Sequence, residues 1–173
     1  IRVSLVGSEM CIRDSIKWQS FPPESKDQLW RLIPSEPPVI EMNAEVTASL
    51  KKLLMSKALR KDINSLQRDI IFTSICSTVW TMLLSISMNT IQNMLNTNSD
   101  LSSEEIVEQL PPSQLQTLSL FSKNLLETNI SPHEAVVALA NELRSPESFQ
   151  KFILKMSSII QQETKILELA EIM

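Results

Sequence analysis

From residue 43 onward the apolar residues recur at helical spacing. Asn43 is a good N-cap residue, and behind it Val46, Leu50, Leu53 and Leu54 fall at i, i+4, i+7 and i+8, with Lys51 and Lys52 on the opposite side. A second helical pattern begins near Ala58 and runs toward Asn96. It first lines up Leu59, Ile63, Leu66 and Ile70, then turns apolar around most of its circumference. Unbroken, such a helix would reach about 58 Å; Asn64 and Asp69 are the positions where the pattern permits a break. Further on, helix starts are written in the caps. Ser102 with Glu105 has the capping-box spacing, and Pro111-Pro112 closes that short helix. Ser113 is the expected cap of the next, which carries Leu115, Leu118, Phe121, Leu125 and Leu126. Ser131-Pro132-His133-Glu134 combines a cap, a proline at the first helical position and a glutamate at the third, ahead of a core face of Val136, Leu139, Ala140 and Leu143. Ser145-Pro146 opens a last helix striped by Phe149, Phe152, Ile153, Met156, Ile159, Ile160, Ile166 and Leu167.

Residues 16–42 read differently. Five prolines (Pro22, Pro23, Pro34, Pro37, Pro38) predict an irregular arm with one short helix at about Glu24–Ile33, presenting Leu29, Trp30 and Ile33 and ended by Pro34. The expected fold class is therefore all-α: a Pro-rich N-terminal arm over 16–42, followed over 43–173 by a six- or seven-helix bundle with a long central helix.

The first fifteen residues are set apart by a resemblance of another kind. Leu5-Val6-Gly7-Ser8-Glu9-Met10-Cys11-Ile12-Arg13-Asp14-Ser15 resembles, without a mismatch, one reading frame of a transposase-type sequencing-library adapter. Ile1 to Ser4 fit the index bases upstream of it. Residues 1–15 are accordingly expected to be an adapter-derived artefact, and 16–173 a fragment whose own N-terminus and targeting signals are missing. The competing reading is an edge strand at Val3–Val6 with a redox-active Cys11.

Setting that segment aside changes the chemistry available. Gly7 is the sole glycine and Cys11 one of two cysteines, so the rest has no glycine and one thiol, Cys76, and an internal disulfide is ruled out. Loops that cradle phosphates need glycine where backbone approaches the ligand or adopts positive φ, which excludes P-loop, Rossmann and kinase-type sites from this stretch. The 158 residues from Ile16 are enough for one domain with a core. Their charge is uneven: Ala44–Asp69 holds six basic and three acidic residues, Ser99–Met173 five basic and eleven acidic, within a net charge of -4. That basic density is too low for a nucleic-acid surface, and no nucleic-acid partner is expected.

Few residues suggest reaction chemistry. His133 is the single histidine, at a helix start and without a second His or Cys at ligand spacing, so it reads as an exposed first-turn residue. Glu104, Glu105 and Glu108 have the chemistry to hold a hard cation, yet as first-turn carboxylates they complement the helix dipole. Cys76 sits in an uncharged apolar segment and reads as a buried, inert thiol. No cofactor, metal or small-molecule substrate is expected, although carboxylates from distant helices meeting in a cleft would leave room for an enzyme. Ile70–Ser99 carries no charge and follows the basic run from Lys51 to Arg68, which suggests a membrane span at about 70–91. Seven Ser or Thr within Ile70–Met88 favour a central core helix instead.

Several positions in and after this segment resemble the peroxin-3 family of peroxisomal membrane-assembly proteins. They are Phe72-Thr73, Val79-Trp80-Thr81, Gln92, Pro111-Pro112 with Gln116, and Leu125-Leu126, covering about a third of the chain. The departures are Ser74 where the family has a basic residue, the absence of the Gly and Tyr that follow the Gln, and Asn64 near the family's partner-binding Trp. The resemblance implies an all-α domain on the cytosolic face of the peroxisome that docks a shuttling receptor for membrane proteins.

Taken from the residues alone, the expected function is a non-catalytic helical interaction or scaffold domain with a protein partner, in the cytosol or on the cytosolic face of an organelle. A peroxin-3-like assembly factor and a membrane-associated protein with a span at 70–91 are the alternatives. Trp18, Phe21 and Trp30 in the arm are the partner-binding candidates, exposed and aromatic, because aromatics anchor interfaces out of proportion to their number; the competing reading is an arm packed on the body through its Trp residues.

Overall fold

The computed structural model describes residues 16–45, 51–53 and 63–163, with backbone alone at 63–66 and 162–163. The adapter-like segment, most of the amphipathic helix expected behind Asn43, and Ile166 and Leu167 lie outside the described residues. In chain order the elements are β1 (Ile16–Gln19), a 3-10 turn (Pro23–Ser25), β2 (Trp30–Ile33), β3 (Val39–Asn43), α1 (Ile63–Thr97), α2 (Ser103–Glu108), α3 (Pro112–Leu126), α4 (Pro132–Glu142) and α5 (Pro146–Glu163). Residues 51–53 are also helical. Among these residues the chain forms two units, one ending at Ser77 and the other spanning Thr78–Glu163, with α1 passing through the boundary.

The protein is mostly helical but not all-α. Where an irregular arm was expected, a three-stranded sheet forms in the order β1-β3-β2. β1 runs parallel to β3, pairing Ile16 with Ile40 and Trp18 with Met42; β2 runs antiparallel, pairing Trp30 with Met42, Arg31 with Glu41 and Leu32 with Ile40. Side chains alternate across a strand, so this register gathers Ile16, Trp18, Trp30, Leu32, Ile40 and Met42 on one face. Lys17, Gln19, Arg31, Glu41 and Asn43 fall on the other. Ile40 and Met42, on the central strand, are buried.

The short helix expected over Glu24–Ile33 is thereby replaced by a 3-10 turn and β2. The physical reason is where Leu32 and Arg31 go. As a strand, Trp30 and Leu32 share the apolar face while Arg31 ion-pairs with Glu41 at 2.6 Å. A helix over the same residues could not make the ladder that pairs Trp30 to Ile33 with Val39 to Met42.

In the unit from Thr78 to Glu163 the helical reading holds. α1 is unbroken over 35 residues, about 52 Å at the α-helical rise. From Thr78 on it buries Val79, Trp80, Leu83, Leu84, Met88 and Ile91. Trp80 meets Phe121 of α3 edge-on, with ring centroids 5.5 Å apart; its indole N–H has no acceptor among the described residues, so packing alone holds the ring. Several hydroxyls of this helix have partners nearby: Ser85 donates to the Met156 sulfur of α5, while Ser87 donates to the Leu83 carbonyl and Thr90 to that of Ile86. This i−4 bonding lets a hydroxyl lie in an apolar setting without a lost hydrogen bond. Among the described side chains of α1 the exposed ones are Gln67, Ser74, Thr78, Met82, Asn89, Asn93, Asn96 and Thr97, polar except for one methionine. By length and composition Gln67–Thr97 is nonetheless apolar enough to cross a membrane: its most apolar 18-residue window has a mean hydropathy of 1.7, and 44% of that window is buried.

The shorter helices close over α1. α3 buries Leu118, Phe121 and Leu125; α4 buries Ala135, Val136, Leu139, Ala140 and Leu143; α5 buries Phe152, Met156, Ile159 and Ile160. Gln92 donates to the Leu143 carbonyl at the end of α4, and Arg144 reaches the carbonyls of Ser99 and Leu101. Both expected capping boxes are present: Ser102 with Glu105, and Ser131 with Glu134, each with the serine hydroxyl on the third amide and the glutamate on the cap amide. One cap differs. α3 begins at Pro112 behind Pro111, and Ser113 lies buried inside the helix, because Pro112 at the first helical position needs no N–H partner.

Two outcomes test this packing. Phe121→Ala removes the ring against Trp80 and should cost about 3–5 kcal/mol in urea unfolding; a shift near zero would place Phe121 outside the core. The second concerns acid. Glu105 is held below the ordinary glutamate value of 4.5 by the backbone and then the side-chain hydrogen bond with Ser102. Glu134 is held below it by the Ser131 side chain, then by its backbone, with His133 and Lys123 adding favourable charge. A folded-state value below the unfolded one means the contribution is complete above 4.5 and is lost as pH falls through the lowered value. Glu105→Gln with Glu134→Gln should therefore flatten the acid limb of Tm against pH while lowering Tm at neutral pH.

Candidate functional site

The sheet brings two of the three expected partner-binding residues together. Trp18 on β1 and Trp30 on β2 both pair with Met42 on β3, so the three side chains form one row, Trp18-Met42-Trp30, across the apolar face. Met42 is fully buried while both tryptophans are half-buried. The Lys51 ammonium lies 5.4 Å from the Trp18 ring centroid, within cation–π range.

Phe21 does not join this row. Expected to be exposed, it is only 6% exposed and lies under the Arg31 guanidinium, 4.6 Å from ring to charge. Arg31 thus has two partners, the Phe21 ring and the Glu41 carboxylate at 2.6 Å. On that face Glu41 is flanked by Lys17 and Arg31 at the same register position. A planar guanidinium suits this double role, since it stacks and donates at once.

Asn43 holds the site's geometry. It ends β3 rather than standing free ahead of a helix, and is 1% exposed. Its amide nitrogen donates to the carbonyls of Lys26 at 2.7 Å and Gln28 at 3.0 Å, and its oxygen accepts from the Glu45 amide at 2.9 Å. The oxygen therefore makes the bond a cap would make, while the nitrogen ties down the loop that leads into β2; the helix start it was expected to cap falls on residues outside those described.

Elsewhere the chemistry-bearing residues are structural or exposed. His133 is exposed on the first turn of α4 and lines an open groove of about 690 Å³ with Ser102, Glu104, Asn141 and Arg144. Glu105 closes its capping box, and no group of three or more metal-ligating side chains occurs among the described residues. Cys76 is a buried thiol. Where α3 ends near α5, a second groove of about 650 Å³ is lined by Lys123, Asn124, Glu127 and Lys155.

No family model, no curated protein and no solved structure matches the chain. Of the residues that resemble peroxin-3, Thr73, Val79, Trp80 and Leu125 are buried and Gln92 makes the bond to Leu143, while the others are half-buried and Pro112 is exposed. Asn64 lies in α1, with its side chain outside the described residues.

Sequence reasoning picked Trp18 and Trp30 by residue type and missed Arg31, Glu41, Met42 and Lys51 around the aromatics. No local signal marks them, since the contacts bridge strands ten or more residues apart. Asn43 offers a direct check on the site's frame. Asn43→Ala leaves two carbonyls and an amide unpartnered and should cost about 2–3 kcal/mol by denaturation followed through tryptophan fluorescence. Asn43→Asp should fare no better, because a carboxylate cannot donate to two carbonyl oxygens.

Proposed function

We propose that the protein is a non-catalytic helical scaffold whose small sheet presents an aromatic surface to a protein partner. The observation that carries this reading is the row Trp18-Met42-Trp30, in which two half-exposed tryptophans are fixed beside a buried methionine. Rigid aromatics lose little entropy on binding and carry a large share of interface energy, and a methionine beside them adapts to shape. The cation at the row's edge, Lys51, already engages the Trp18 ring, which suits a partner whose contact surface mixes apolar and acidic groups. The peroxin-3 resemblance is a narrower form of the same proposal, with the partner a shuttling receptor for membrane proteins. It is supported by the mostly helical fold and by the interior places of Val79, Trp80 and Leu125.

A membrane-associated role has one observation in its favour, the apolar length of Gln67–Thr97. Against it stands the exposed stripe of that helix, whose Asn, Ser and Thr residues are costly to turn toward hydrocarbon.

Two measurements decide. The purified chain should be monodisperse in aqueous buffer, whereas strict detergent dependence would favour the membrane role. Trp30→Ala and Trp18→Ala should each weaken retention of the partner in affinity capture by about tenfold, with an unchanged helical circular dichroism signal. Unfolding on either substitution would make the tryptophans core residues, and an unchanged set of captured proteins would remove the row as the interface.

A further inference from the structure

The half of the chain from Ser99 to Met173 is acidic, yet two of its five basic residues, Lys151 and Lys155, act on one carboxylate, Glu127, and a third, Lys123, lines the same groove. Lys155 donates to Glu127 at 2.5 Å. Its hydrogen bond and charge hold that carboxyl below the usual glutamate range, and Lys151 acts in the same direction. Lys123 stands one turn ahead of Glu127 on α3 and lines the same groove.

Glu127 is itself unusual. It caps α3 with φ 55° and ψ 44°, the left-handed region, and is the one non-glycine residue with positive φ among those described. Its own amide and that of Thr128 both donate to the Lys123 carbonyl. A side chain other than Gly or Asn is costly there, so the turn itself does not call for glutamate. What the glutamate does is occupy Lys155, with 74% of its side chain still exposed.

The third observation is apolar. Leu154 is 81% exposed, the most exposed large hydrophobic residue among those described, and Ile130, next to groove-lining Asn129, is 38% exposed. On α5, Lys151, Leu154, Lys155 and Ser158 fall at i, i+3, i+4 and i+7 and so share one face.

We propose that this groove binds an acidic peptide segment of a protein partner, with Lys123, Lys151 and Lys155 meeting its carboxylates, Leu154 meeting an apolar residue beside them, and Glu127 standing in for a ligand carboxylate until it is displaced. A concave groove of about 650 Å³ fits an extended chain, and Leu154, the one exposed leucine among the described residues, is too small an apolar area to insert into a bilayer. The proposal is independent of the tryptophan row.

The test uses the whole chain and a fluorescein-labelled peptide of repeating Glu-Glu-Leu, followed by anisotropy. Saturable binding should weaken as salt is raised. Lys123→Gln, Lys155→Gln and Leu154→Ser should each weaken it about three- to fivefold, and Lys155→Arg should restore most of the loss. Removing the resident carboxylate is the sharpest arm. Glu127→Gln should tighten binding about threefold, while Glu108→Gln, the same charge change outside the groove, should not, and Trp30→Ala should leave it unchanged. Circular dichroism melts confirm that each variant is folded. The proposal is overturned by absence of peptide binding, by equal effects of Glu127→Gln and Glu108→Gln, or by mixed phosphatidylcholine–phosphatidylserine vesicles binding more tightly than the peptide through the same lysines.

Discussion

A backbone without glycine has no inexpensive route to positive φ, and that constraint shapes every joint described in this structure. Gly7 is the single glycine and lies outside the described residues. Where other chains would turn on glycine, this one turns on side chains. Asn43 ties β3 to the loop before β2 with three hydrogen bonds. Two serine–glutamate boxes open α2 and α4, prolines open α3, α4 and α5, and Glu127 closes α3 in a conformation it would not choose by itself. Such joints depend on specific side chains, so the helix ends are where single substitutions should be felt beyond the core.

The same economy governs α1. A long uncharged helix rich in hydroxyls looks, by composition, midway between a core helix and a membrane span. Burial weighs toward the first. Val79, Trp80, Leu84, Met88 and Ile91 turn inward, Ser87 and Thr90 return their hydroxyls to the preceding turn, and asparagines take the outward positions from Asn89 to Asn96. A lipid-facing helix would reverse this order, exposing its apolar side chains and hiding its polar ones.

How far the sequence foretold the structure follows from the range of the interactions involved. Helix starts at Ser102 and Ser131 were legible because a cap and its partner lie within three residues, and the start at Pro146 because proline suits the first helical position. The buried faces of α3, α4 and α5 were legible because helical periodicity is local. The sheet was not. Ile16 pairs with Ile40 and Trp18 with Met42 across 24 residues, and β2 is four residues long, too short for alternation to stand out against the prolines around it. Leu29, Trp30 and Ile33 also satisfy a helical spacing, so local pattern favoured the wrong element. The groove beside Glu127 was illegible for the same reason, since Lys123 and Lys155 are 32 positions apart and meet only when α3 and α5 pack.

The two surfaces differ in the physics they would bring to a partner. An aromatic row releases ordered water and contributes free energy over a wide area, but it discriminates poorly, because many apolar surfaces satisfy it. Lysines held against a resident carboxylate contribute less net affinity, since an incoming carboxylate replaces one ion pair with another. Their effect falls on encounter rate and on choice of partner, because a segment without acidic groups leaves Lys155 on Glu127 and gains nothing. In a chain with net charge -4, most acidic partners are repelled at a distance. A local cluster of three lysines restores attraction only within about a Debye length, near 8 Å at physiological salt, so an acidic segment is drawn in when it is already at the groove and turned away elsewhere on the surface.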